Sequence, residues 1–165
     1  MGIKRVGVVG GGQMGGGGAE LTAKAGLPTV VREGTPEVAE RSRAGIQKSL
    51  DRALERGKLD EAAHEAALGN LSFTTEIGDL GDCDLVVEAV VESFDLKAEV
   101  FRALDEVVAS PDAVLATTTS SIPIIDIDMA TTFAVPSLCA LVLGLIICSL
   151  CSLGNANGFS MLVCR

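Results

Sequence analysis

Three glycines and one acid carry the most chemical information in this chain. Gly10, Gly12 and Gly15 have the spacing GxGxxG within Gly10-Gly11-Gly12-Gln13-Met14-Gly15. In that pattern the first glycine permits a tight turn and the second lets the backbone approach a pyrophosphate with no side chain in the way. The third lets a helix pack closely on a strand. Unpaired N–H groups at the start of that helix then receive the phosphate charge. Glu33 follows about twenty residues beyond the motif, where a carboxylate accepts hydrogen bonds from the adenosine ribose hydroxyls. Taken alone, Glu33 reads equally as a solvated strand-end acid. With strand, turn, helix and acid in the right order, a dinucleotide site is the expectation. Arg32 raises NADP as an alternative. Neighbouring strand residues point to opposite faces, however, and Glu33 repels a 2′-phosphate, so NAD is the expected cofactor. Gly16, Gly17 and Gly18 extend the run, and each costs a helix interior about 1 kcal/mol relative to alanine. The first helix is therefore expected to be poorly supported, and no functional reason for these three glycines is visible.

The elements that must position these residues alternate. Val6–Val9 is a short apolar run ending in glycines, as a buried parallel strand reads. A helix is expected over 14–25 with Gly26 closing it, then a strand at Thr29–Arg32. Thr35 offers an N-cap oxygen, Pro36 suits the first helical position, and Glu37 favours the positive end of the dipole, so a long helix runs to 56 and stops at Gly57. A shorter helix over 60–68 completes a helical hairpin. Strands follow at Leu71–Thr74 and 85–91, then a helix over 95–108 and a strand over 113–117. The expected fold is α/β: a Rossmann-type, doubly wound parallel sheet with a helical-hairpin insertion.

A chain of 165 residues suits one domain with an appendage. The net charge of -9 argues against a nucleic-acid partner, which needs a basic surface. Cys83 stands alone in the body while the other four cysteines lie beyond 138, so neither a disulfide framework nor a metal spacing with the single histidine is visible. No cleavable signal is apparent near Lys4 and Arg5, and the body reads as cytoplasmic. Composition changes abruptly at Asp128, and residues 129–164 contain no charge. The expected division is therefore an NAD-binding domain over 1–128 and an uncharged apolar tail over 129–165. Three readings of the tail stand in order of preference. They are a truncation or change of frame that leaves an unrelated sequence, a membrane anchor over 133–153, and a buried strand or helix over 138–147.

Four segments carry a family resemblance: "VGVVGGGQMG", "QKSLDRALER", "DLVVEAVVESFDLKAEVFRALD" and "LATTTSSIPI". Together they resemble the N-terminal domain of the 3-hydroxyacyl-CoA dehydrogenases, of 3-hydroxybutyryl-CoA dehydrogenase type. The resemblance implies hydride transfer between NAD and C3 of a 3-hydroxyacyl-CoA in fatty acid or butanoate metabolism, with an acyl-CoA substrate as partner. Gln13 and Met14 fill the motif's variable places as they commonly do in the family, and Glu92 and Lys97 match residues that line the cofactor site. Ser120 matches the serine that touches the substrate hydroxyl, and Thr118 stands where the family usually has Asn. Ser49 and Arg56, on the hairpin that the family uses to hold CoA, are the CoA candidates. The same helix, with Lys48, Asp51, Arg52, Glu55 and Arg56, also reads as a solvated face, and Lys97 with Glu92 as a surface ion pair.

The family's general base is a histidine beyond the substrate serine, oriented by a glutamate further on. The corresponding stretch here, "TTFAVPSLCALVLGLIIC", contains neither. His64 lies among Glu61, Ala62, Ala63 and Glu65 and reads as an exposed helix histidine, not a catalyst. The chain is therefore expected to bind NAD and to turn over substrate poorly. A non-catalytic NAD-responsive binding or interaction module, anchored to a membrane by its tail in one version, is the alternative.

Overall fold

The computed structural model describes residues 2–129 and 138–140. In chain order these form β1 (Val6–Val9), α1 (Gln13–Lys24), β2 (Thr29–Arg32), α2 (Pro36–Glu55), α3 (Glu61–Gly69) and β3 (Leu71–Thr74). A short 3-10 turn at Ile77–Leu80 leads to β4 (Leu85–Glu88), α4 (Phe94–Val107), β5 (Val114–Thr117), α5 (Ile124–Met129) and β6 (Leu138–Ala140). All pairings are parallel, in the order β3-β2-β1-β4-β5-β6. The order reverses between β1 and β4, the crevice where doubly wound sheets bind ligands.

Val6 pairs with both Thr29 and Leu85, and Val9 with both Arg32 and Glu88, so β1, β2 and β4 end level. Val6, Val8, Val31 and Val87 pack one face of the sheet against Ala19, Ile46 and Leu50 from α1 and α2. Val30, Val86 and Leu115 pack the other against Val100, Phe101 and Leu104 from α4. Burial of both faces is why these strands read as near-continuous apolar runs.

Helix α1 forms despite its glycines because it lies close to the sheet. Gly15 and Gly16 are buried, and a Cβ at Gly16 would sit 2.9 Å from the Gly11 carbonyl. That close approach accounts for Gly16, which the sequence left unexplained. Gly17 and Gly18 face open space, and nothing in the structure explains them. Helix α2 starts as expected, with the Thr35 hydroxyl accepting from the Val38 N–H and Pro36 in the first turn. It buries Ala39, Ser42, Ile46 and Leu50, one stripe at helical spacing. The Asp60 carboxylate caps α3 at the Ala63 N–H. His64 departs from the exposed position expected of it: its side chain is only 14% exposed, and Nε2 lies 2.7 Å from Asp51 Oδ1, tying α3 to α2.

Strand β4 stops at Glu88 instead of 91, because the Glu88 carboxylate turns back to accept the Val90 N–H at 2.6 Å. On the far edge, Leu115 to Thr117 pair with Leu138 to Ala140. A division at 128 leaves β6 on the tail side, so the sheet draws on three residues beyond the composition break. The anchor stretch 133–153 otherwise lies outside the described residues. Among those described, no helix is long and apolar enough to cross a membrane.

Candidate cofactor site

The glycine turn joins β1 to α1 in the crevice. Gly10 has φ +93°, a left-handed conformation that L side chains rarely adopt, and a Cβ there would lie 2.8 Å from the Ala89 carbonyl. A Cβ at Gly15 would fall 1.8 Å from the Gly10 carbonyl, so the helix can approach the turn only with glycine at this position. Gly12 is different: nothing lies within 4 Å of its Cβ position. It is the N-cap of α1, where no side chain caps the helix and no acid occupies the first turn. An uncapped helix start behind a bare backbone is chemically suited to a phosphate group.

A cavity of about 680 Å³ opens from this turn, lined by Gly10, Gly12, Gln13, Glu33, Ser42 and Ser49 among others. That volume lies in the usual range for small-molecule and cofactor sites. Glu33 is 8% exposed, and one of its oxygens, Oε1, accepts both the Gly11 N–H at 2.7 Å and the Ser42 hydroxyl at 2.5 Å. Arg32 turns away, its Nε donating to the Thr75 carbonyl. The cation on the cavity wall is instead Arg41 of α2. Met14 lies exposed beside Gln13 at the start of α1.

A second cluster stands at the ends of β4 and β5. Glu88 and Lys97 are fully buried, with Lys97 Nζ 2.8 and 2.9 Å from the two Glu88 oxygens. Thr117 Oγ1 and the Val90 N–H also donate to Glu88. The buried carboxylate thus has several donors, which makes a buried ion pair tolerable. Lys97 reaches Glu92 only at 3.4 Å. It is buried, not the surface ion pair that the sequence also allowed, because Glu88 holds its ammonium at the end of β4.

Glu92 is the exposed member, 39% accessible. It accepts from the Thr119 and Ser121 hydroxyls and from the backbone N–H groups of Ser120 and Ser121. The two hydroxyls, helped by the Ser121 N–H and the Lys97 ammonium, outweigh desolvation and hold its pKa at about 2. Ser120 is exposed on the turn that Glu92 anchors, while the Thr118 N–H bonds to the Glu88 carbonyl. Of the two CoA candidates, Ser49 lies on the cavity wall, whereas Arg56 sits exposed at the C-cap of α2, about 10 Å further along the helix.

Sequence reasoning missed Gly11, Arg41, Ser42 and Glu88. One signal was available for Ser42: a polar residue in the apolar stripe Ala39, Ile46, Leu50. A Cβ at Gly11 would come within 2.8 Å of Val31 Cγ1 and 2.9 Å of Ser42, so a side chain even at this variable position of the motif would force Val31 or Ser42 to shift.

A family model for the NAD binding domain of 3-hydroxyacyl-CoA dehydrogenase matches residues 5–139. The chain belongs to this family. NAD is the cofactor of the domain, and the uncapped α1 start and the Glu33 carboxylate fit it. A 3-hydroxybutyryl-CoA dehydrogenase of Mycobacterium tuberculosis strain H37Rv is 52% identical over 129 residues, covering 78% of this chain and 45% of that protein. A probable 3-hydroxybutyryl-CoA dehydrogenase of Deinococcus radiodurans is 46% identical over 120 residues, 73% of this chain and 42% of the relative. Among solved structures, M. tuberculosis FadB2 superposes with a TM-score of 0.82 at 48% identity, over 85% of this chain and 49% of the other. The 3-hydroxybutyryl-CoA dehydrogenase of Escherichia coli K12 gives 0.80 at 33% identity, over 85% and 29%. The chain thus spans less than half the length of the curated relatives it matches.

Proposed function

We propose that this domain holds NAD for a 3-hydroxyacyl-CoA dehydrogenase reaction, with a short-chain acyl-CoA of the 3-hydroxybutyryl class as substrate. The observation that carries the reading is the cavity itself, bounded by the uncapped amino end of α1 and by the buried Glu33 carboxylate. Gly10, Gly12 and Gly15, with Gln13 and Met14 between them, shape the pyrophosphate cradle, and Glu33 accepts the adenosine ribose hydroxyls. The ends of β4 and β5, where Glu92 fixes the turn bearing Ser120, would hold the rest of the cofactor. Lys97 acts there through Glu92 and Glu88. Ser120 donates to or accepts from the substrate hydroxyl, and Ser49 and Arg56 of the hairpin meet the CoA moiety. When bound, NAD accepts the hydride from C3.

Loss of that hydride must be matched by removal of the hydroxyl proton, which needs a base within hydrogen-bond reach. Ser120 is no base by itself. The chain's one histidine, His64, is held by Asp51 in the α2–α3 hairpin. The 165-residue chain assayed alone therefore binds NADH and reduces a 3-oxoacyl-CoA only slowly. The test is calorimetric titration with NADH, then addition of acetoacetyl-CoA to the same sample while cofactor absorbance is followed. Binding without oxidation is expected. Turnover in the usual enzyme range of roughly 1 to 1000 per second contradicts it.

A further inference from the structure

We propose that Ser42 is a positioning residue that sets cofactor choice, acting through Glu33; the inference rests on the NAD reading of the cavity. A glutamate at a strand end has several rotatable bonds, so its carboxylate does not present one oxygen to a ligand unless something holds it. Here two donors converge on the same atom. The Gly11 N–H reaches Glu33 Oε1 from the turn after β1, and the Ser42 hydroxyl reaches it from α2. Oε1 is thereby committed to the protein, and Oε2 is left as the acceptor for a ribose diol.

The local structure is built to allow this. Ser42 occupies the buried stripe of α2, between Ala39 and Ile46, where a hydroxyl is costly unless bonded. Its own Cβ and Oγ stand 2.9 Å from where a Gly11 Cβ would be. The glycine therefore makes room for the serine, and both serve one oxygen. The α2 register that delivers the hydroxyl is fixed by the Thr35 cap and Pro36.

A fixed carboxylate discriminates in two directions. It accepts the two hydroxyls of an NAD ribose without first losing conformational freedom. It also cannot swing aside to admit a 2′-phosphate, although Arg41 stands on the same cavity wall and would welcome one. Freed from Ser42, the carboxylate can rotate, and both effects weaken together. Ser42→Ala should therefore lose about tenfold in NADH affinity while NADPH affinity holds or rises, so the ratio of the NADPH dissociation constant to the NADH dissociation constant falls.

The experiment is calorimetric titration of the full chain and of Ser42→Ala with NADH and with NADPH, with melting temperatures recorded. If Ser42→Ala does not fold, Ser42→Cys, which keeps the volume but donates weakly, decides by the same ratio. A falling ratio supports the role. A merely structural serine would weaken both cofactors alike or lower the melting temperature with the ratio unchanged, and that result overturns the proposal alone. A folded wild type that binds neither cofactor overturns the NAD reading and this inference with it.

Discussion

Glu33 at the end of β2 and Glu88 at the end of β4 lie on either side of β1, both buried, both held by backbone and hydroxyl donors, yet they are prepared for different tasks. Among the described residues, Glu33 receives two neutral donors, and both fall on one oxygen. Glu88 receives an ammonium on both oxygens, a hydroxyl on one and an amide on the other. The first carboxylate keeps an acceptor for a ligand, and the second has its bonding satisfied within the fold. On the proposed reading, the oxygen left open distinguishes Glu33 from Glu88, since burial and strand-end position are common to both. Glu88 holds Lys97, which lies 3.4 Å from Glu92, which in turn anchors the Ser120 turn.

The largest expected effect is at Lys97. Lys97→Met leaves Glu88 buried without its cation, and removing one partner of a buried pair costs about 3 to 5 kcal/mol. For a chain of this size that corresponds to a melting temperature lower by about 10 °C in calorimetry. Ser42→Ala, at the other end, should move the melting temperature far less while changing cofactor choice. A smaller effect sharpens the account of Glu92, whose folded pKa is depressed to about 2 from an ordinary 4.5. Because the folded value is the lower one, its stabilisation is fully present above the unfolded value and is lost as pH falls through the folded one. The stability gap between wild type and Glu92→Gln, measured by urea titration, should stay level above pH 4.5 and close between about 4.5 and 2.

Much of the fold was legible because its signals are local. The valine runs, the Thr35-Pro36 start of α2 and the glycines at 26 and 57 each act within a few residues. The glycine motif and Glu33 were legible for the same reason, since a turn and a strand end fix both. What remained hidden depends on how close two distant elements come. Gly11 and Ser42 matter because α2 touches the turn, which neither segment announces. Lys97 suggested Glu92 by proximity in sequence, but β4 ends early and brings Glu88 beneath the start of α4. His64 joined Asp51 across the hairpin because the two helices pack, while each helix alone would leave it in water. Beyond 128 the sequence lost its alternation of charge, and a buried strand or helix over 138–147, where the strand at Leu138–Ala140 falls, was the last of the three readings that its apolar composition allowed.

Gly12 tests most directly whether the amino end of α1 receives the cofactor's pyrophosphate. Its Cβ position is open, and aspartate is a favoured N-cap, so Gly12→Asp should fold with an undiminished melting temperature. The added carboxylate would occupy and repel the phosphate site. Calorimetric titration with NADH should give one site per chain in the wild type and a loss of at least about a hundredfold in affinity in Gly12→Asp, as expected from setting like charges together in a partly enclosed site. Equal affinity in the two folded proteins would contradict the account.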